Sequence, residues 1–188
     1  MTSTLHILGF TGSLRKKSYN RATLRTAKEL VPPETELEIA ELGDLPLFNQ
    51  DFENDKPEVV HAFEEKIRKA DALLIVTPEY NYSVPGVLKN AIDWVSWPYA
   101  NSVLTGKPTA ILGAGGRVGT ARAQLHLRQS LQYLDVPVLN KPEVFIQYAW
   151  EKFDADGKLI HEPTRDQIKG LLEALVKFTR RLRIEERN

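Results

Sequence analysis

Short apolar runs alternate with amphipathic stretches along the whole chain, and that alternation restricts the fold more than any other feature. Leu5-His-Ile-Leu-Gly-Phe10, Ala72-Leu-Leu-Ile-Val-Thr77 and Pro108-Thr-Ala-Ile-Leu112 have the length and composition of buried strands, and Glu36-Leu-Glu-Ile-Ala-Glu-Leu42 alternates like an edge strand. Val136 to Leu139 with Glu143 to Ile146 read as a fifth, interrupted strand. Helical spacing fills the gaps: Asn20 to Leu30, stopped by Pro32-Pro33; Glu58 to Lys69; the stretch holding Val87, Leu88, Ala91, Ile92 and Val95; Thr120 to Leu134; and about Thr164 to Glu185. Strands separated by helices predict an α/β fold, a doubly wound parallel sheet of five strands with helices on both faces. No repeat or linker divides residues 1–188, so one domain is expected.

Composition removes several classes of function. With 188 residues, 42% hydrophobic and 27% charged, the chain has material for a sizeable core. Lys+Arg and Asp+Glu both number 25, so no global charge points to nucleic acid, a membrane surface or an acidic partner. The chain has no cysteine, which excludes disulfides, thiolate metal sites and cysteine nucleophiles. The four histidines, His6, His61, His126 and His161, show no ligand-like spacing, and no metal is expected. The amino terminus lacks a basic and apolar leader, and no run approaches a bilayer span, so a cytoplasmic protein is expected.

Right-handed crossovers place the loops after the first, third and fourth strands on one rim of such a sheet. The loop Pro78-Glu-Tyr-Asn-Tyr-Ser-Val-Pro-Gly86 brings ring faces, hydroxyls and an amide to the place where open α/β sheets bind flat cofactors. Its aromatics serve equally as packing for a strand-to-helix connection. The first loop, Gly9 to Arg21, joins Ser13, Arg15, Ser18 and Asn20 to a helix start, a setting that favours an anion. It lacks the Gly-Lys-Ser/Thr ending of a nucleotide-triphosphate loop and the G-x-G-x-x-G of a dinucleotide loop. The plainer reading is a capped helix beside a solvated basic loop. Gly113-Ala-Gly-Gly-Arg-Val-Gly119 lets backbone approach a ring edge, or is a flexible turn.

Taken in order, Gly12-Ser-Leu-Arg-Lys-Lys-Ser-Tyr-Asn20, Pro78-Glu-Tyr-Asn-Tyr-Ser-Val-Pro-Gly86, Leu88-Lys-Asn-Ala-Ile-Asp-Trp94 and Ala121-Arg-Ala-Gln-Leu-His-Leu-Arg-Gln129 resemble the NAD(P)H-dependent FMN reductases. This is a flavodoxin-like family, and the likeness is to its chromate/quinone reductase branch; Asn140-Lys-Pro-Glu143 extends it. The resemblance implies strand order 2-1-3-4-5 and bound FMN. The phosphate would be held by Ser13, Arg15, Ser18 and Asn20, with the ring against Pro78, Glu79, Tyr80, Asn81 and Ser83 and its far edge at Gly113, Gly115 and Gly116. It implies NADPH or NADH as co-substrate, ping-pong transfer to a small-molecule acceptor such as a quinone, chromate, an azo compound or free flavin, and no catalytic side chain. Tyr82 and Arg117 are expected to touch the nicotinamide or acceptor. A homodimer or homotetramer is implied, with Asp93, Trp94, Arg122 and Glu143 near subunit contacts. Leu125 departs from an aromatic position in the branch, and the Gly113 loop is poorer in hydroxyls than in some relatives. The competing reading is a flavodoxin-type electron carrier, against which the zero net charge speaks.

Overall fold

In the computed structural model, which describes residues 4–52 and 54–185, five parallel strands form one sheet in the order β2-β1-β3-β4-β5. Met1 to Ser3 at the amino end and Glu186 to Asn188 at the carboxyl end lie outside the described residues. The strands are β1 (Leu5–Thr11), β2 (Thr35–Ala40), β3 (Ala72–Val76), β4 (Thr109–Ala114) and β5 (Val144–Ile146). The helices are α1 (Tyr19–Glu29), α2 (Glu58–Lys69), α3 (Gly86–Ser96), α4 (Ala121–Tyr133) and α5 (Glu162–Glu185). Val138 makes only an isolated bridge to Thr109, so the interruption expected before β5 is real.

Burial on both faces explains the sequence of each strand. β3 lies at the centre, and every residue from Ala72 to Val76 is completely buried, which is why the run contains no polar residue. α1 and α5 cover one face, where Leu24, Ala27, Ile168 and Leu172 pack on Leu5, Ile7, Leu74 and Leu112. α2, α3 and α4 cover the other, with Val60, Leu88 and Leu127 packing on Leu8, Phe10, Ile75 and Ile111. β2 stands at one edge and alternates buried with exposed residues. His6, expected in a buried strand, is exposed at the amino end of β1, where its Nδ1 lies 3.4 Å from Glu36 Oε2 on β2.

β1 pairs with β2 on one side and β3 on the other, so the connections leaving β1 and β3 diverge and open a crevice at the carboxyl ends. The crevice wall is tied down from below. Asn90 of α3 accepts the Phe48 N–H at 2.7 Å and donates to Pro46 O at 2.8 Å, while Trp94 Nε1 also donates to Pro46 O at 2.8 Å. Trp94 is therefore a core residue that anchors the long loop after β2. Nearby, Lys56 is buried against Glu64 and donates to Trp97 O, fixing the segment after α3.

β4 is longer than the sequence suggests, because Gly113 and Ala114 continue the strand and pair with Phe145 and Ile146. Gly113 is a strand residue for a packing reason. A Cβ there would lie 2.1 Å from Thr120 Oγ1 and 2.2 Å from the Thr77 carbonyl. Gly113→Ala should accordingly cost about 3 kcal/mol of stability through overpacking against rigid backbone. A urea unfolding midpoint equal to that of the parent protein would refute this account of the glycine.

Candidate functional site

The loops after β1, β3 and β4 enclose a cavity of about 770 Å³ at the carboxyl edge of the sheet. One end is built by the first loop and the start of α1. Ser18 caps that helix, its Oγ accepting the Asn20 N–H at 3.2 Å and the Arg21 N–H at 3.4 Å, which leaves its own hydroxyl proton free to donate. Ser13 is buried beside it, and its hydroxyl lies 3.4 Å from the Tyr80 hydroxyl, joining the first loop to the third. Arg15 has no ion-pair partner among the described residues; its guanidinium lies 5.5 Å from the Tyr19 ring centre. Thr11 Oγ1, buried at the end of β1, likewise has no hydrogen-bond partner. Two hydroxyls and an arginine without an ion-pair partner among the described residues, at the start of a helix, are a donor set that suits a phosphate.

Asn20 lines the same end but is used differently from the sequence expectation. Its amide nitrogen donates to Ala114 O and its amide oxygen accepts the Ala114 N–H, both at 2.8 Å. Both functions of the side chain are engaged in tying α1 to β4, so Asn20 shapes the cradle while one remaining N–H is available to a ligand.

The other end is a flat slot. Tyr80 to Ser83 form a tight turn in which Tyr80 N–H donates to Ser83 O at 3.1 Å and Ser83 N–H to Tyr80 O at 3.0 Å. Asn81 and Tyr82 sit at φ values of 50° and 68°, the left-handed pair that such a turn demands. A tyrosine held there is strained, and the strain is concentrated in the loop that presents Tyr80 and Tyr82 to the cavity. The turn is fastened by Ser83 Oγ, 3.0 Å from His126 Nδ1 on α4. Ser83 and Asn81 thus support the slot and do not line it, in contrast to Pro78, Glu79, Tyr80 and Tyr82, which do.

Glu79 is consumed by structure. Its Oε2 accepts the N–H groups of Arg122 and Ala123 at 3.1 and 3.3 Å, capping α4 from another loop, and its Oε1 binds Arg122 Nε and Nη2 at 2.5 Å. The hydrogen bond that Arg122 donates to Glu79 raises the arginine above its ordinary range, so the guanidinium stays charged. That guanidinium lies 3.5 Å from the centre of the Tyr82 ring. Arg122 therefore belongs to the cavity wall, a role its position in a helical run did not disclose. Glu143, by contrast, is an outlying residue paired with Lys141 at 2.9 Å, and that hydrogen bond holds its carboxyl below the usual glutamate range.

The third wall comes from the glycine loop. Gly115, Gly116 and Arg117 line the cavity, whereas Gly113 lies within β4 behind them. Gly115 N–H donates to Ile146 O at 3.0 Å, and Ala149 and Tyr148 N–H groups donate to Gly115 O and Gly116 O at 2.9 and 3.1 Å. These bonds bring Tyr148 and Trp150, whose ring centres are 5.6 Å apart, to the rim beside Gly116. Sequence reasoning missed this exposed pair; a Tyr-x-Trp word directly after the fifth strand was the signal.

A cradle for one phosphate joined to a slot walled by tyrosines and bare backbone suits a planar heterocycle with a phosphorylated tail, and the donor set fits FMN. Comparison with known proteins agrees. The sequence profile of the NADPH-dependent FMN reductase family matches residues 5–151. An NAD(P)H-dependent FMN reductase of Pseudomonas aeruginosa is 53% identical over 185 residues, covering 97% of this chain and 100% of that protein. A quinone reductase of Escherichia coli K12 is 42% identical over 189 residues, covering 98% and 100%. Among solved structures, the NAD(P)H:acceptor oxidoreductase FerB of Paracoccus denitrificans superposes with a TM-score of 0.86 at 36% identity, over 94% of this chain and 98% of FerB. On its three loops, its strand order and these similarities, the chain belongs to the NADPH-dependent FMN reductase family.

Proposed function

We propose that this protein oxidises NADPH or NADH and reduces quinones, with chromate, azo compounds and free flavin as further acceptors, through FMN held in the cavity between the loops after β1, β3 and β4. The observation that carries the reading is the joining, in one cavity, of an anion cradle at the start of α1 to an aromatic slot at the switch point of the sheet. Bound FMN supplies the hydride and electron chemistry, alternating between nicotinamide donor and acceptor in a ping-pong cycle.

The chain's own residues bind and orient. Ser13 and Ser18 donate hydrogen bonds to the phosphate and Arg15 offsets its charge, while Tyr80, Pro78 and Gly115 fix the plane of the ring. Tyr82 and Arg117 stand on opposite loops of the slot, placed to meet whichever second molecule enters. Arg122 steadies Tyr82 and keeps positive charge at the rim. No side chain of the cavity is set up as a nucleophile, and Glu79, the one buried carboxylate in the lining, is bound on both oxygens. The protein is proposed to work as a homodimer or homotetramer. Supporting this, Tyr99 and Tyr133 pack edge to face at 5.8 Å yet are 51% and 75% exposed, and Leu125 is 59% exposed, a surface suited to a second copy.

The purified protein should show a flavin absorbance that bleaches on adding NADPH without oxygen and returns on adding a quinone. A persistent flavin spectrum under both NADPH and NADH would instead mark an electron carrier. Arg15→Ala should weaken FMN affinity about tenfold or more, as loss of a charge-assisted phosphate contact predicts, with little change in melting temperature. Unaltered affinity in equilibrium dialysis would remove the phosphate assignment. Tyr80→Ala should lower flavin affinity or turnover far more than Tyr133→Ala, which lies away from the cavity; equal effects would reduce the Tyr80 loop to a structural connection.

A further inference from the structure

Beyond the phosphate cradle lies a second, smaller groove of about 410 Å³ between the start of α1 and the turn at Asp154 to Gly157. It is continuous with the flavin cavity, since Arg15, Ser18 and Tyr19 line both. Lys16, Lys17 and Arg25 line the groove alone. The charge here is unbalanced in a chain whose net charge is zero. Elsewhere on α1, Arg21 pairs with Glu41 at 2.6 Å, and Glu29 pairs with Arg165 at 3.7 Å. Among the described residues, no ion pair engages Arg15, Lys16, Lys17 or Arg25.

Two carboxylates face these cations, and one is already engaged. Asp154 Oδ1 accepts the N–H groups of Asp156 and Lys158 at 3.0 and 2.8 Å, which holds that carboxylate in its own turn, and the groove is lined by four cations and two carboxylates. Among the described residues, the Asp156 carboxylate has no hydrogen-bond or ion-pair partner. Arg25 reaches across to the turn, its Nη2 lying 3.8 Å from where a Cβ on Gly157 would stand. Tyr19 gives the groove an aromatic surface and is held in place by Phe153, at 5.2 Å between ring centres. Four cations are more than the single phosphate of FMN requires, and only Arg15 among them faces the flavin cavity as well. Clustered unpaired cations in a concave site raise the local positive potential and select anions.

We infer that this groove is a second phosphate site, taking the 2′-phosphate at the adenosine end of NADPH while the nicotinamide end lies in the flavin cavity, and that it sets the preference for NADPH over NADH. The assignment rests on the function proposed above. Lys16 and Lys17 stand between Arg15 and Ser18, so one short loop serves two anions: its ends hold the flavin phosphate and its middle holds the donor's. An adenosine carrying a phosphate also arrives with FAD, whose second phosphate would use the same cations.

The test is the triple variant Lys16→Gln/Lys17→Gln/Arg25→Gln, made at exposed positions outside the flavin cavity. Adenosine 2′,5′-bisphosphate and 5′-AMP are titrated calorimetrically into the parent and variant proteins, with FMN bound and after its removal. The parent should bind the bisphosphate about tenfold tighter than 5′-AMP, and the variant should lose that difference. KM for NADPH should rise about tenfold in the variant, with kcat/KM for NADH and FMN content unchanged. Asp156→Asn should act in the opposite sense and lower KM for NADPH. Equal binding of the two probes by the parent, or an unchanged NADPH:NADH ratio in the variant, would overturn the inference. A variant that loses affinity for FAD, while binding the bisphosphate as before, would also overturn it and assign the groove to the flavin's own second phosphate. Failure of the protein to take up FMN, with the probe preference intact, would strike the proposed function and leave the phosphate groove standing.

Discussion

Asn20 Nδ2 donates to the Ala114 carbonyl and Asn20 Oδ1 accepts the Ala114 N–H, and the geometry of the whole cavity follows from that pair of bonds. β3 ends its register with Val76 opposite Leu112, so Ala114, two residues further along β4, has no strand neighbour on that side. An asparagine side chain from α1 supplies the missing backbone partner. The bonds are buried, and leaving both Ala114 groups unpaired would cost about 1–3 kcal/mol for each. They also lock together two elements with different tasks. α1 begins at the Ser18 cap at one end of the cavity, and β4 leads into the glycine loop at its other wall. A cavity whose walls come from separate elements keeps its shape only when those elements are held in fixed relation.

A second coupling runs from the β3 loop to α4. Glu79 caps α4 across the cavity, Arg122 returns from the first turn of that helix to cover the Tyr82 ring, and Ser83 meets His126 one turn further on. These contacts explain how two successive non-glycine residues persist in the left-handed region at Asn81 and Tyr82. Backbone strain of this kind survives only where surrounding interactions over-determine the conformation. Thr120, at φ 69° before α4, is a parallel case: it is buried against Gly113, whose missing side chain provides its room.

The strand and helix alternation was legible because burial on two faces writes continuous apolar runs into β1, β3 and β4, and burial on one face writes helical spacing into α2 and α3. The three loops were legible as a site because residues of unusual chemistry fell at the carboxyl ends of those strands. Most of the expected residues do converge: Ser13, Arg15, Ser18, Pro78, Tyr80, Gly115 and Gly116 line one cavity. Local chemistry was a poorer guide to use. Asn20 and Glu79 look like ligand-binding groups in a linear reading, and both have most of their hydrogen-bonding capacity engaged within the protein. Gly113 looks like loop and is strand. Trp94 looks available to a partner and is almost completely buried under the Pro46 loop.

By itself the sequence determined the fold class, the strand order through its likeness to a family, the absence of any thiol chemistry, and the three loops in which a flavin phosphate and ring would be sought. Only the tertiary structure decided which side chains remain free for a ligand. It also decided that Arg122 lines the cavity, and that, among the described residues, no ion pair engages Lys16, Lys17 or Arg25 in the neighbouring groove. The physical reason is that periodicity and composition act over a few residues, whereas a polar group's availability depends on what meets it in space. For Asn20 that partner lies 94 residues away along the chain, and no local pattern encodes it.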